Sequence, residues 1–206
     1  MSAIIFDFDG TIAGTFDYVA DFLAAEAGIA HLSDTQRQEL HSMSMIEMAR
    51  HLGHHSWRLP GLFYKGRKAM NHSIGHIAPF NGMVAVIEEL HAENHELYIV
   101  TSNNVHNVHM FLHNHQLQSY FLDIYSGASV FGKSVALRRL LKAHHLERQN
   151  SIYVGDELRD VKAARSVKLR VVAVTWGFAR LRDLQAASPT ALVNTPTELL
   201  KQLARF

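Results

Sequence analysis

The chain alternates short, continuously apolar runs with longer stretches in which apolar residues recur at helical spacing. Apolar runs rich in β-branched residues predict buried strands at "AIIFDF", "ELYIVTSN", "SIYVGD" and "RVVAVTWG", and more weakly at "FLDIYSG". Between them lie amphipathic stretches such as "MVAVIEELHAENH", "VALRRLLKAHHL" and "VKAARSV", which predict helices. Because strands that alternate with helices form βαβ units, we expect an α/β fold: a Rossmann-like parallel sheet with helices on both faces.

The interval between the first and second predicted strands is too long for a single crossover helix. Its patterns predict several helices, one of which begins with Ser44 and Glu47 in capping-box spacing and ends at Gly53. Pro79 and Gly82 then interrupt the helical pattern. We therefore expect a small all-helical cap at residues 15–78, inserted after the first strand of an α/β core formed by residues 1–14 and 79–206. Hinges are expected near residues 10–15 and 77–82.

Composition narrows the classes of protein and partner. The chain has 206 residues, of which 48% are hydrophobic, and it has no cysteine, which excludes disulfides and thiolate metal ligands. A net charge of +1 indicates neither a nucleic-acid partner nor a membrane surface. No apolar run approaches the roughly 20 residues that span a bilayer, and the first residues lack the basic region of a signal peptide. We expect a cytoplasmic protein, and the oligomeric state stays open.

Histidine is unusually frequent, with 15 residues. His106, His109 and His113 share one face of a predicted helix, at a spacing that a metal site could use. No acidic residue or cysteine joins them, so we favour a solvated helix face over a metal site. The same interpretation applies to two histidine pairs, His54-His55 and His144-His145.

Polar residues follow the predicted strands at their carboxyl ends, which meet at one edge of a parallel sheet and bind ligands where the strand order reverses. The residues concerned are Asp7 and Asp9, Thr101-Ser102-Asn103, Asp156 with Asp160, and Lys133 before a helix. Carboxylates beside a cation and a hydroxyl suit Mg²⁺ and a phosphate group, because Mg²⁺ prefers oxygen ligands and shares them with substrate phosphates. Each motif alone also has a structural interpretation, such as a turn with Asx hydrogen bonds at "DFDGT" or a helix N-cap at Asp156.

Taken in order, these motifs resemble those of the haloacid dehalogenase superfamily, and in particular its phosphoglycolate-phosphatase-like phosphatases. "DFDGT" resembles the nucleophile motif, "IVTSN" the hydroxyl motif, "GK" at Gly132-Lys133 the lysine motif, and "VGDELRDVKAAR" the acidic motif. The resemblance covers nearly the whole predicted core. The inserted segment is only loosely similar to the helical cap of the family.

The resemblance implies catalytic roles for residues of these motifs. Asp7 is implied to be the nucleophile that forms an aspartyl-phosphate, and Asp9 to be the general acid and base. Lys133 is implied to stabilise charge on the phosphoryl group. The implied phosphate-binding residues are Gly10, Thr11, Thr101, Ser102, Asn103 and Lys133.

The resemblance also implies a Mg²⁺ site. Its implied ligands are the carboxylates of Asp7 and Asp156 and the main-chain carbonyl of Asp9, and Asp160 is implied to orient groups beside the metal. Glu157 lies next to these residues where many relatives have Thr or Ser, which makes the surroundings of the metal more acidic.

A stretch that begins in the predicted cap, residues 48–87, has no acidic residue. Its basic and aromatic residues are Arg50, Arg58, Lys65, Arg67, Lys68, Trp57, Phe63 and Tyr64. A solvated basic face is the first interpretation. In the second, the cap closes over an anionic substrate and presents Arg58, Arg67 and Lys68 to it. A nucleic-acid or membrane contact is the third, and the acids earlier in the segment weaken it.

We expect a Mg²⁺-dependent phosphohydrolase that cleaves a phosphate monoester of a small, phosphoglycolate-like metabolite. Relatives that act as dehalogenases lack an acid at the position of Asp9, so this residue favours ester hydrolysis or phosphoryl transfer between alcohols. A sugar-phosphate mutase of the same superfamily is one alternative. A non-catalytic binding protein that uses the basic stretch is another, although it would give no reason to keep Asp7, Lys133 and Asp156 together with Asp9.

Overall fold

A computed structural model of the chain describes residues 2–41, 43–127 and 132–206, and within these ranges a six-stranded sheet is covered by helices on both faces. The strands are β1 (Ala3–Phe6), β2 (Glu96–Thr101), β3 (Phe121–Ser126), β4 (Ser151–Gly155), β5 (Arg170–Val174) and β6 (Ala191–Val193). The helices are α1 (Phe16–Glu26), α2 (Asp34–Leu40), α3 (Met45–His51), α4 (Leu59–Ala69), α5 (Met83–Ala92), α6 (Val105–Asn114), α7 (Gly132–Ala143), α8 (Leu158–Ser166), α9 (Leu181–Ala187) and α10 (Pro196–Leu203). None of the described helices is both long and apolar enough to cross a bilayer.

The sheet has the order β3-β2-β1-β4-β5-β6, and all its neighbouring strands run parallel. Strand β1 is central, and its Ile5 is paired with Tyr98 of β2 and Tyr153 of β4. The chain builds β2 and β3 on one side of β1 and then β4 to β6 on the other. The strand order therefore reverses at β1, and a crevice for ligands lies beyond its carboxyl end. The predicted Rossmann-like α/β fold is confirmed.

Two apolar layers bury the sheet. Ile4 and Phe6 of β1 pack in the layer that contains residues of α5, α6 and α10, whereas Ile5 packs in the layer that contains residues of α7, α8 and α9. Because successive side chains of a strand point to opposite faces, a strand buried on both faces has no polar positions. This burial accounts for the continuous apolar run at the start of the chain.

Some elements differ from the sequence prediction. Strand β1 ends at Phe6 rather than Phe8, because the carbonyl of Phe8 accepts hydrogen bonds from the N–H groups of Ile12 (2.9 Å) and Ala13 (3.0 Å) in a tight turn. Strand β3 is only partly buried at the sheet edge, which explains its weak apolar pattern. Strand β6 was not predicted, because three residues are too few for a recognisable pattern.

Helices α1 to α4 fill the interval between β1 and α5. The predicted capping box of α3 is confirmed: Ser44 N–H donates to Glu47 Oε2 (2.9 Å), and Glu47 N–H donates to Ser44 Oγ (3.3 Å). The segment has an apolar cluster of its own, which also includes Phe178 from the loop after β5. This cluster supports a separate helical unit, whereas Met70, Ile74 and Ile77 pack in the sheet layer. The division into a core and a cap at residues 15–78 remains a proposal.

The two connections between this segment and the rest of the chain are bonded to each other. Gly14 N–H donates to the carbonyl of Ala78 (2.9 Å), and Phe80 N–H donates to the carbonyl of Ile12 (2.9 Å). The chain therefore leaves the sheet layer and returns to it at adjacent points.

Candidate active site

The carboxylate of Asp7 lies directly beyond β1 and is 1% exposed. Its Oδ1 accepts a hydrogen bond from Phe8 N–H (2.8 Å), and its Oδ2 forms an ion pair with Lys133 Nζ at 2.5 Å. The same ammonium group lies 2.5 Å from Asp160 Oδ1. Lys133 comes from the first turn of α7 and Asp160 from the first turn of α8. One buried cation thus lies between two buried carboxylates, which would be costly without it.

Asp156 follows β4, and its carboxylate is oriented by two hydrogen bonds. Oδ1 accepts from the hydroxyl of Thr11 (2.9 Å), and Oδ2 accepts from Phe178 N–H (2.7 Å). Gly10 has a φ of +78°, and a Cβ atom at this position would overlap the carboxylate of Asp156 and the ring of Phe178. Thr11 therefore orients the carboxylate of Asp156, and the absence of a side chain at Gly10 leaves room for it. Their predicted contact with phosphate stays a prediction.

Asp7, Asp156 and Asp160 can each offer a carboxylate oxygen, and these atoms lie within 4.8 Å of one another. Burial raises the pKa of Asp7 to about 7, against the opposing effect of Lys133. Burial, and next the charges of Glu157 and Asp7, raise the pKa of Asp156 well above its usual range. Both pKa shifts arise mainly because burial disfavours the ionised carboxylate, and neighbouring negative charges add to this effect. An all-oxygen donor set with excess negative charge fits a hard divalent cation, so these residues can hold a metal ion.

Asp9 occupies different surroundings from Asp7. It is 8% exposed and lines a cavity, and the side-chain amide of Asn103 donates to both of its oxygens at 3.0 and 3.1 Å. Burial raises the pKa of Asp9, while the hydrogen bond from Asn103 acts in the opposite direction. Asn103 was predicted to bind phosphate, and this contact stays a prediction; the structure brings its side chain to Asp9.

Thr101 ends β2 and Ser102 follows it at the same edge of the sheet. Thr101 is fully buried, and its Oγ1 accepts a hydrogen bond from Asn103 N–H (2.9 Å). Ser102 lines the same cavity as Asp9. Both residues are thus brought to the site that the sequence predicted, and their contact with phosphate stays a prediction.

The cavity has a volume of about 130 Å³ and lies between the sheet edge and α1, α3 and α4. Its lining residues are Asp9, Ser102, Asn103, Glu157, Arg159, Tyr18, Val19, Phe22, Leu23, Met45, Ile46, Phe63, Gly66, Arg67 and Met70. Of the three basic residues predicted to meet substrate, Arg67 lines the cavity within the described ranges, whereas Arg58 and Lys68 do not. Both are exposed, and the guanidinium of Arg58 lies 5.5 Å from the ring centre of Trp57.

Sequence reasoning assigned no role to Arg159, which lines the cavity in the first turn of α8. Its guanidinium forms an ion pair with Glu157, and 43% of its side-chain surface is accessible. Glu157 therefore orients a cation here. The position of Arg159 beside Asp160, in the first turn after a strand-end acid, is the sequence feature that could have indicated it.

The histidine clusters have no catalytic surroundings in the part of the chain that the structure describes. His106, His109 and His113 are exposed on α6. The buried His54 has Nε2 2.8 Å from the carbonyl of Leu23, a contact that fixes the packing of α1. Within the described ranges, none of the histidines joins a group of three side chains close enough to share a metal ion.

Comparison with known proteins identifies the family of this chain. Residues 4–174 match the family model described as haloacid dehalogenase-like hydrolase. A phosphoglycolate phosphatase of Synechococcus elongatus is 32% identical over 209 aligned residues, covering 100% of this chain and 99% of that protein. In fold, a structure described as a predicted phosphatase from Clostridium acetobutylicum superimposes with a TM-score of 0.81 at 19% identity, covering 100% of this chain and 99% of that one. A haloacid dehalogenase-like family hydrolase from Streptococcus pneumoniae gives a TM-score of 0.78 at 22% identity, with 98% of each chain covered. The chain belongs to the haloacid dehalogenase-like hydrolase family.

Proposed function

We propose that this phosphatase hydrolyses a phosphate monoester of a small, doubly anionic metabolite through an aspartyl-phosphate on Asp7. The observation that carries the proposal is the different placement of two carboxylates. Asp7 is buried against Lys133, and Asp9 lines the adjoining cavity. Such a pair supports one group for attack and another for proton transfer. The phosphoglycolate phosphatase of Synechococcus elongatus, similar over the whole chain, further supports a substrate of this kind.

In the first step a carboxylate oxygen of Asp7 attacks phosphorus, and the bond from phosphorus to the ester oxygen breaks. Asp9 gives its proton to the departing oxygen, which leaves as an alcohol. In the second step Asp9, now a carboxylate, takes a proton from water as the water attacks phosphorus. The bond between phosphorus and Asp7 then breaks, and inorganic phosphate is released. Lys133 stabilises the negative charge on the phosphoryl oxygens throughout.

We propose Mg²⁺ as the cofactor, held by the carboxylates of Asp7 and Asp156 and the main-chain carbonyl of Asp9, with Asp160 adjacent. The clustered carboxylates of Asp7, Asp156 and Asp160 support this assignment. When bound, the cation screens the repulsion between the anionic substrate and the carboxylate of Asp7. Thr11 and Phe178 N–H keep Asp156 in place, so this chain contributes a fixed ligand set.

A second anionic group on the substrate is inferred from two guanidinium groups that face one cavity. Arg67 comes from α4 and Arg159 from α8, and both line the space beside Asp9. Burial, and next the positive charge of Arg159, lower the pKa of Arg67, as expected for two cations that lie close together. A carboxylate between them would relieve this repulsion and accept charge-assisted hydrogen bonds. Arg67 and Arg159 are therefore the proposed specificity residues, in place of Arg58 and Lys68.

The test is a phosphate-release assay over a panel of phosphate monoesters, in Mg²⁺ and after exhaustive chelation. We expect release with Mg²⁺, loss of release after chelation, and recovery when Mg²⁺ is returned. Short phospho-carboxylic acids should have a higher kcat/KM than neutral esters of similar size. The Asp7→Asn variant is the control for contaminating phosphatases. Release that persists undiminished after chelation, or a panel without any substrate, would contradict the proposal.

A further inference from the structure

The side-chain amide of Asn103 makes an unusual pair of contacts. Its Nδ2 donates to both oxygens of Asp9, at 3.0 and 3.1 Å, and all three groups are buried. Its Oδ1 accepts from Asn104 N–H at 2.7 Å. Because a main-chain N–H can only donate, this bond fixes which end of the amide is oxygen. Asn103 therefore presents its donor end, and not its acceptor end, to Asp9.

Asn103 is itself oriented by Asn107, one helical turn later in α6. Asn107 Nδ2 donates to Asn103 Oδ1 (2.9 Å) and to the main-chain carbonyl of Arg67 (2.8 Å). The thioether of Met70, the first residue after α4, lies 3.2 Å from Asn103 Nδ2. A continuous set of hydrogen bonds thus runs from the end of α4 through two buried amides to the carboxylate of Asp9.

We propose that Asn103 and Asn107 are positioning residues that fix the carboxylate of Asp9 for proton transfer. The inference rests on the proposed role of Asp9 as general acid and base. Proton transfer needs the carboxyl group within hydrogen-bond reach of the ester oxygen. Asp9 lies within the turn beyond β1, and no basic side chain in the described ranges forms a hydrogen bond or an ion pair with it. The two bonds from Asn103 therefore set its orientation, and Asn107 sets that of Asn103.

The geometry separates this role from the phosphate contact that the sequence predicted for Asn103. A side chain that binds phosphate assists every substrate equally, because the phosphoryl group is common to all. A residue that orients the general acid assists only substrates whose leaving group needs a proton. Two aryl phosphates distinguish the roles: phenyl phosphate, with a poor leaving group, and dinitrophenyl phosphate, with a good one.

The experiment compares kcat/KM for both esters in wild type, Asn103→Ala, Asn107→Ala and the double variant. This ratio reports the steps up to phosphoryl transfer, so later hydrolysis does not obscure the result. A misplaced catalytic group typically costs about 10²-fold. We expect Asn103→Ala to lower kcat/KM for phenyl phosphate by about 10- to 100-fold and for dinitrophenyl phosphate by less than about 3-fold. The double variant should lose no more than Asn103→Ala, because both residues act through one contact.

Asn104→Ala is the matched control. The Asn104 side chain caps α6 by accepting from His106 N–H (3.0 Å) and does not contact Asp9. This variant therefore weakens the same helix without removing a side-chain hydrogen bond of the relay, by which we mean the contacts that link Asn107, Asn103 and Asp9. The ratio of its kcat/KM for phenyl phosphate to its kcat/KM for dinitrophenyl phosphate should equal that of wild type. Inhibition by inorganic phosphate should be unchanged in Asn103→Ala. Equal losses on both esters, together with weaker inhibition by phosphate, would overturn the relay and assign Asn103 to phosphate binding.

A second measurement needs no turnover, so it tests the relay even if the proposed function is wrong. Nitrogen-15 NMR can follow the exchange of side-chain amide protons with water in metal-free protein. The protons of Asn103 should be protected relative to those of the exposed Asn104, and Asn107→Ala or Asp9→Ala should speed their exchange at least about 10-fold. If the side-chain amide protons of Asn103 exchanged as fast as those of Asn104 in the wild-type protein, the relay would be refuted. Failure of the proposed function would appear separately, as absence of Mg²⁺-dependent phosphate release by wild type.

Discussion

The carboxylates of Asp7 and Asp9, two residues apart, lie in different surroundings: that of Asp7 pairs with Lys133, and that of Asp9 faces the cavity and Asn103. Because of this difference, we expect replacement of the two residues to reduce enzymatic activity in different ways. Asp7→Asn should abolish turnover, because an amide is a far weaker nucleophile, and no phosphate should attach to the protein. Asp9→Asn should lose about 10²–10⁴ in rate with an unactivated ester.

The Asp9→Asn variant should also accumulate phosphoenzyme when it receives an activated aryl phosphate. The first step then needs little protonation, whereas hydrolysis still needs the missing base. Intact mass after a rapid quench measures the attached phosphate, and peptide mapping locates it. Phosphate found on the Asp7→Asn protein, or on another residue of Asp9→Asn, would show that the roles are misassigned.

Removal of the Lys133 ammonium should destabilise the metal-free protein in a pH-dependent way. Lys133→Met leaves Asp7 and Asp160 without their cation, and loss of one partner of a buried pair costs about 3–5 kcal/mol of unfolding free energy. The deficit should shrink as the pH falls, because Asp7, whose pKa is raised by burial, then takes up a proton. Urea unfolding with EDTA at neutral and acidic pH measures it. Lys142→Met, at the exposed end of α7, is the control and should change little.

Mg²⁺ should stabilise the protein more at high pH than at low pH. The pKa of Asp7 is raised from 3.8 to about 7, so across this interval the unfolded chain loses a proton that the folded chain retains. The unfolding free energy of the metal-free protein therefore falls as the pH rises through it. Mg²⁺ binds the ionised carboxylates, so it competes with protons.

The increase in melting temperature on adding Mg²⁺ should accordingly be small below pH 5 and large above pH 7, as differential scanning fluorimetry can measure. The Asp7→Asn variant should lose most of this dependence. Asp34→Asn, at the exposed start of α2, should retain it. An increase that is equal at both pH values would argue against a cation on Asp7.

Substrate selectivity should depend on the two guanidinium groups of the cavity. Arg67→Met and Arg159→Met should each raise KM for a phospho-carboxylic acid by about 10- to 100-fold. This is the factor by which binding weakens when one charge-assisted hydrogen bond is lost. A neutral aryl phosphate should be affected much less. Arg58→Met is the matched control, because this side chain lies against Trp57 outside the cavity lining. Equal effects of all three variants would favour a solvated basic face.

The backbone at Gly10 should not accept a side chain. Gly10→Ala places a Cβ against Asp156 in a left-handed conformation, so it should cost about 1–3 kcal/mol of stability and weaken Mg²⁺ binding. Gly61→Ala in α4 is the control: the added Cβ meets open space in a helix, so stability should rise by about 0.5–1 kcal/mol. Calorimetry and Mg²⁺ titration measure the two effects.

Local features of the sequence predicted most of the fold. The apolar runs located five of the described strands, and the capping box at Ser44 located the start of α3, because neighbouring residues fix both features. The strand-end rule likewise predicted that Asp7, Asp156 and Lys133 would meet, since a parallel sheet brings such positions to one edge.

The rest depends on contacts between distant residues. Asn103 and Asp9 are 94 positions apart, and nothing in their spacing tells whether the amide meets phosphate or carboxylate. The orientation of the Arg159 guanidinium depends on its ion pair with Glu157. Which basic residue of the predicted cap lines the cavity depends on how α4 packs, and that residue is Arg67. These are matters of side-chain packing, which a periodic pattern does not encode.

The paired connections at Ile12–Gly14 and Ala78–Phe80 make the helical segment an insertion whose two ends meet. A chain that leaves and re-enters at neighbouring points places no demand on the length or shape of what lies between, because the distance to be closed is already short. Such a segment can be lengthened, shortened or exchanged while the sheet and its carboxylates keep their places. The two parts of the chain can therefore change independently. The carboxylates at the sheet edge can stay constant while the residues of the helical segment that line the cavity are replaced.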